Sequence, residues 1–254
     1  MMILSDMSFA IMILSFFVVA FLYASVGLGG GSSYTAILSL FGVSYLMIPT
    51  ISLTLNLLVT TTGSFNFLRY RHGRWKLILP FLVSSIPLAY LGGGLSVPKI
   101  LFYWLLFLSL LFVVIRIYFW QQVSIQLPLT SRGKVILAVT AGAILGFIAG
   151  VVGIGGGVYL VPLILVLGLG SAKEAAACGS IFVWLNSLAG LLARLQNQVI
   201  DYSYIWPLML AVLAGGYLGS WLGASRLSAR RIETLLGLVI VIAIVFLLPK
   251  LFLG

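Results

Sequence analysis

The sequence predicts an all-α integral membrane protein of about eight membrane elements, arranged as two inverted-topology repeats. Each repeat is a re-entrant or broken helical hairpin with a GxGGG tip, followed by three transmembrane helices. Three observations predict this: a composition from which no water-facing surface could be made, an internal duplication at near-constant spacing, and basic residues gathered in alternate loops.

Of the 254 residues, 62% are hydrophobic and 7% are charged, against roughly 25% charged in a soluble domain. Not one Asp, Glu, Lys or Arg falls between Met7 and Leu68, and further uncharged tracts cover 77–98, 100–115, 135–172, 175–193, 202–225 and 234–249. Most reach the roughly 20 residues that cross a hydrocarbon core. The formal charge of +10 sits in short loops between apolar tracts and not along one solvated face, so the expected surroundings are lipid and no nucleic-acid partner is expected. The opening segment MMILSDMSF lacks a basic n-region and is followed by many apolar tracts, so it reads as a retained membrane segment. Cys178 is the only cysteine, which excludes an intrachain disulfide or a multi-cysteine metal cluster; no metal and no cofactor are expected.

The duplication aligns Gly27, Gly29, Gly30, Gly31 and Gly42 with Gly153, Gly155, Gly156, Gly157 and Gly168 at an offset of 126, and Thr54 with Ser180. After one inserted residue, Gly63 matches Gly190, Pro80 matches Pro207, and Tyr90-Leu91-Gly92 matches Tyr217-Leu218-Gly219 at offset 127. Shared order makes these matches a repeat, because isolated glycine coincidences in apolar sequence are cheap. The N-terminal repeat is 1–120, the connecting loop 121–133, and the C-terminal repeat 134–254.

In the first repeat the expected segments are 9–27, 31–43, 48–68, 76–95 and 99–120; in the second they are 134–152, 157–169, 172–194, 202–223 and 231–249. The second segment of each half has 13 residues, about 20 Å as helix, too short to span alone. If it folds back as a hairpin, each half makes an odd number of crossings and the halves are inverted. Arg69, Arg71, Arg74, Lys76, Arg116, Arg132, Lys134, Lys173, Arg226, Arg230 and Arg231 then share one side, with only Lys99, Arg194 and Lys250 opposite. A parallel arrangement scatters the set, so the positive-inside rule favours inversion, with RYRHGRWK and the connecting loop cytoplasmic and both termini external. Five full crossings per half would place the loops identically; segment length argues against them. Trp75, Trp120, Tyr118, Tyr202, Tyr204 and Trp206 fall near span ends, as an interfacial belt requires.

Inversion brings the two glycine turns together from opposite faces, each opening a helix N-terminus with unpaired N–H groups and the positive end of the peptide dipole. Two such ends facing one cavity would hold an anion. The candidate binding residues are therefore Gly29, Gly30, Gly31, Gly155, Gly156 and Gly157. Ser32 and Ser33 would add hydroxyl donors in the first half only, since Val158 and Tyr159 replace them.

The third segment of each half supplies Thr54, Asn56, Thr60, Thr61 and Thr62, then Ser180, Asn186 and Ser187. Asn56, Ser180 and Asn186 complete the candidate set, the asparagines offering both donors and acceptors. Helix-to-helix hydrogen bonding is the plainer role for all of them.

Gly142, Gly146 and Gly150, and likewise Gly215, Gly219 and Gly223, recur every fourth residue and read as close-packing faces. Small-residue faces of this kind also suit a homodimer contact. Ser171 and Glu174 have capping-box spacing, and Arg194 is expected to snorkel to water from a span end. A lone His72, a lone Cys178 and no buried acid pair leave no catalytic constellation, so an enzyme is not expected. No Gly-Lys-Ser/Thr follows either turn, which excludes a P-loop.

In its paired motifs GLGGGSS and GIGGGVY, the second followed by Ala-Ala-Cys-Gly-Ser, the sequence resembles the TauE/SafE sulfite exporter family of membrane permeases. The resemblance covers nearly the whole chain. It implies about eight membrane helices and transport of sulfite, an organosulfonate or a related sulfur anion; the mechanism expected from the paired glycine tips is alternating access around them, in the cell membrane. Export of a monoanion from an inside-negative cell gains about 2.3 kcal/mol per 100 mV and needs no coupling ion, while import coupled to a cation stays open. An anion channel, or an assembly factor without transport, are the alternatives.

Overall fold

The computed structural model describes residues 6–119, 130–196 and 205–226, with isolated positions 241, 244, 245 and 248. Most of the connecting loop, the loop holding Asn197, Asp201, Tyr202 and Tyr204, and most of the expected last span at 231–249 lie outside the described residues. Nine helices are described: α1 (Asp6–Ser25), α2 (Gly31–Leu40), α3 (Ile48–Arg69), α4 (Trp75–Gly94), α5 (Lys99–Phe119), α6 (Ser131–Val152), α7 (Gly157–Val166), α8 (Ala172–Leu195) and α9 (Trp206–Ser225). α1, α4, α6, α8 and α9 are long and apolar enough to cross a membrane. Met7, Ile11, Leu14 and Val18 form an exposed apolar stripe along α1, the kind of face that lipid covers.

The short helices are shorter than the apolar pattern suggests, at 10 residues each. The reason is local. Gly42 (φ 77°) and Gly168 (φ 59°) take the left-handed conformation. The amides of Gly42 and Val43 then bond back to Ser39 O and Leu38 O, and those of Gly168 and Leu169 to Leu165 O and Ile164 O. This double closure ends both helices before Val43 and Leu169, whose hydrophobicity carries no information about the stop.

Two helix pairs pack through the same kind of close contact. On α6, Gly142, Gly146 and Gly150 face the carbonyls of Phe81, Ser85 and Ala89 on α4; on α9, Gly215, Gly219 and Gly223 face those of Phe17, Phe21 and Ser25 on α1. Numbers rise together along both interfaces, so these pairs run parallel. Missing side chains let the backbones touch. Gly146→Leu and Gly219→Leu should each cost at least about 2 kcal/mol, because the neighbour is backbone and cannot move aside; melting temperature in detergent reads this.

At the centre α3 and α8 cross antiparallel. Trp184 Nε1 donates to Thr61 Oγ1 at 2.9 Å. A Cβ at Gly63 would lie 3.0 Å from Ser180 Oγ, and one at Gly190 would lie 3.2 Å from Leu53 Cδ1. α3 and α8 therefore run in opposite directions.

At one end of the bundle Arg74 reaches Glu174 at 3.5 Å and donates to Leu169 O at 2.9 Å, while Lys173 donates to Ala224 O at 3.1 Å. The α3–α4 loop, the start of α8 and the end of α9 therefore meet. Ser171 and Glu174 form the capping box at the start of α8, with bonds of 3.3 and 2.7 Å.

Arg194, at the other end, departs from expectation. It is only 7% exposed, and its Nη2 donates to Gly150 O and Val151 O at 3.0 and 2.8 Å. The carbonyls ending α6 attract a cation more strongly than a path to solvent does.

Candidate functional site

α1 ends at Ser25 and the chain reverses, so that α2 returns alongside it: Tyr34 stacks on Phe16 with ring centroids 4.9 Å apart. Tyr23 Oη lies 2.8 Å from Ser32 Oγ and 2.9 Å from Ser33 Oγ. The first two segments thus form a hairpin, and between α6 and α7 the chain again turns on left-handed glycines, Gly153, Gly155 and Gly156.

Each short helix starts on a glycine in the left-handed conformation, Gly30 at φ 91° and Gly156 at φ 80°, with no side-chain cap. An ordinary N-cap would spend its side chain on the first-turn amides. Here the carbonyls of Gly30 and Gly156 accept from the third and fourth amides that follow, Ser33 and Tyr34 in one turn and Tyr159 and Leu160 in the other. The amides of Gly31, Ser32, Gly157 and Val158 belong to the helix positions that have no intrahelical acceptor.

The two turns meet. A Cβ at Gly31 would lie 2.5 Å from Asn56 Nδ2 and 2.6 Å from Ile154 O of the opposite turn. At Gly29 it would meet Asn56 Oδ1 at 2.6 Å and Val183 Cγ1 at 2.8 Å; at Gly155, Val183 Cγ1 at 2.6 Å, Ser187 Oγ at 3.0 Å and Asn56 Nδ2 at 3.1 Å. Val183 also packs against Gly157. Asn56 from α3 and Val183 from α8 therefore stand between the tips.

Asn56 is fully buried, yet neither Nδ2 nor Oδ1 has a hydrogen-bond partner. Leaving such groups unpaired costs about 1–3 kcal/mol each. Asn186 Oδ1 and Ser187 Oγ are also buried without partners, although Asn186 Nδ2 donates to Phe182 O at 2.7 Å. Asn56 Nδ2 and Oδ1 and Ser187 Oγ, all without partners, lie directly against the glycine turns.

The sequence-derived candidates separate accordingly. Gly29, Gly31, Asn56, Gly155 and Gly157 come together. Gly30 and Gly156 set the turn geometry, facing the rings of Tyr34 and Phe182. The Ser32 and Ser33 hydroxyls are held by Tyr23. Ser180 lies in the α3/α8 joint against Gly63.

Two residues beside the tips escaped sequence reasoning. Val183 offers no polar signal. Ser52 Oγ lies 2.8 Å from Gly153 O and 3.3 Å from Gly31 O, tying one turn to the other; its spacing of four from Asn56, which puts both on one helix face, was the available clue. Ser52→Ala should cost about 1 kcal/mol of stability and slow turnover several-fold by loosening the turns; melting and flux assays on the same preparation check both.

Chemically, paired helix N-termini, uncommitted amides and an amide side chain suit a small anion. Among the described residues no cluster of three or more His, Cys, Asp or Glu is present.

Comparison with known proteins agrees in kind. The family profile described as sulfite exporter TauE/SafE matches residues 12–247. A probable membrane transporter protein, y4hK of Sinorhizobium fredii, is 31% identical over 234 residues, covering 91% of this chain and 94% of its own. A second, YunE of Bacillus subtilis, is 25% identical over 248 residues, covering 86% and 88%. No solved structure matches the chain.

Proposed function

The chain belongs to the sulfite exporter TauE/SafE family of membrane transporters, and on that premise we propose that its cargo is a small sulfur oxoanion, sulfite or an organosulfonate, held between the paired glycine turns. The observation that carries this reading is Asn56, buried between the turns with both polar atoms unpaired. An oxoanion accepts hydrogen bonds from Asn56 Nδ2 and from the first-turn amides, and so satisfies donors that the protein alone leaves unmet.

The repeats act as inverted halves in this reading. Supporting it are the opposite directions of α3 and α8 and the meeting of Arg74, Glu174, Lys173 and Ala224 at one end. That end is cytoplasmic by its positive charge, which leaves Lys99 and Arg194 external. The halves rock about the turns, opening the anion to one side at a time. Membrane potential then drives export with about 2.3 kcal/mol per charge per 100 mV.

Counterflow of labelled sulfite in liposomes of purified protein tests the cargo. Saturable exchange that methanesulfonate inhibits is expected; a protein that exchanges neither anion contradicts the proposal. Single cysteines made by His72→Cys, after α3, and Gln196→Cys, after α8, in a Cys178→Ser background should label from opposite faces. Labelling from the same face contradicts the inverted arrangement.

A further inference from the structure

A cavity of about 170 Å³ opens where α4 ends and α3 and α5 begin, lined by Tyr45, Pro49, Gly94, Ser96, Phe102 and Arg194 among others. It adjoins the second glycine turn: Pro49, in its wall, is the residue a Cβ at Gly153 would strike at 2.5 Å, and Val151, also in its wall, precedes that glycine by two residues.

Arg194 gives the cavity its chemistry. Both bonds that hold the guanidinium use Nη2, leaving Nε buried with no partner. No carboxylate pairs with it among the described residues; the ion pair described there joins Arg74 to Glu174 at the opposite end. The terminal carbonyls of α6 hold the cation by dipole attraction without cancelling its charge. A buried ionised group in a membrane protein, with a donor left unpaired, is the usual mark of an ion path. A planar guanidinium also matches the oxygens of an oxoanion. The volume falls below the roughly 300–1,000 Å³ of drug-sized ligand pockets, so a small ligand is the one that fits.

We propose that this cavity is a second anion subsite, in which Arg194 binds a sulfite- or sulfonate-type oxoanion between the external solution and the second glycine turn. Its external placement rests on the sidedness proposed above. Its anion affinity does not rest on transport.

The test places one thiol, Ser96→Cys in a Cys178→Ser background, in the cavity wall and compares labelling by anionic sulfonatoethyl and cationic trimethylammonioethyl methanethiosulfonates, each normalised to its rate with a free thiol. With Arg194 present the anionic reagent should react roughly tenfold faster, and methanesulfonate should slow it. Arg194→Gln should abolish the preference and Arg194→Lys should keep most of it. Equal rates for the two reagents, or a preference unchanged in Arg194→Gln, would overturn the subsite. Should Arg194→Gln fail to fold, methanesulfonate protection of the Arg194-containing protein decides alone, and its absence rejects the proposal. Because labelling needs no transport, loss of wild-type counterflow would count against the cargo and not against this subsite.

Discussion

Asn56→Leu should leave the protein as stable as the unaltered chain or more so, while anion exchange falls by about 10- to 100-fold. The two effects have opposite signs because one feature causes both. Asn56 keeps two buried polar atoms unpaired, so a branched apolar side chain of similar outline relieves a desolvation penalty. The same change removes a donor to a charged ligand, worth about 1.5–3 kcal/mol. Asn56→Asp should abolish exchange outright, by setting a like charge beside the anion. Melting temperature and counterflow, measured on one preparation, read both effects. A Leu variant that melts lower and transports normally would make Asn56 a packing residue.

Gly155→Ala carries the second large effect, a loss of exchange beyond detection. Gly155 sits at φ 79° and its Cβ would meet Val183, Ser187 and Asn56 between 2.6 and 3.1 Å, so the substituent pushes aside the side chains that stand between the turns. Backbone strain contributes about 1–2 kcal/mol as well. Gly42→Ala separates the two causes: Gly42 has φ 77°, but nothing lies within 4 Å of its Cβ. That variant should lose about 1 kcal/mol of stability and keep exchange within roughly twofold. Equal inactivation of both variants would attribute the effect to strain and not to occlusion.

Much of the architecture was written in periodic and compositional signals. Uncharged tracts fixed where α1, α3, α4, α5, α6 and α8 lie to within a few residues, since hydrophobicity alone decides what enters a bilayer. Four-residue glycine spacing named both tight helix interfaces before their partners were known. What sequence could not convey was direction in space. Ser32 and Ser33 looked like ligand donors beside the tip, but their hydroxyls turn back to Tyr23, a residue 9 and 10 positions away. Arg194 looked like a boundary residue because its partners, the carbonyls of Gly150 and Val151, come from backbone more than 40 positions away. Backbone acceptors leave no trace in residue identity. Val183 was invisible for a different reason: a valine between two glycine turns has the same letter as any other apolar residue.

Selenite, a heavier analogue of sulfite with a strong anomalous signal, tests whether both glycine turns grip one anion. A crystal of the protein grown with selenite should show a selenium peak within hydrogen-bond reach of Asn56 Nδ2 and of the first-turn amides that follow Gly30 and Gly156. Full occupancy elsewhere, with the space between the turns empty, would contradict it.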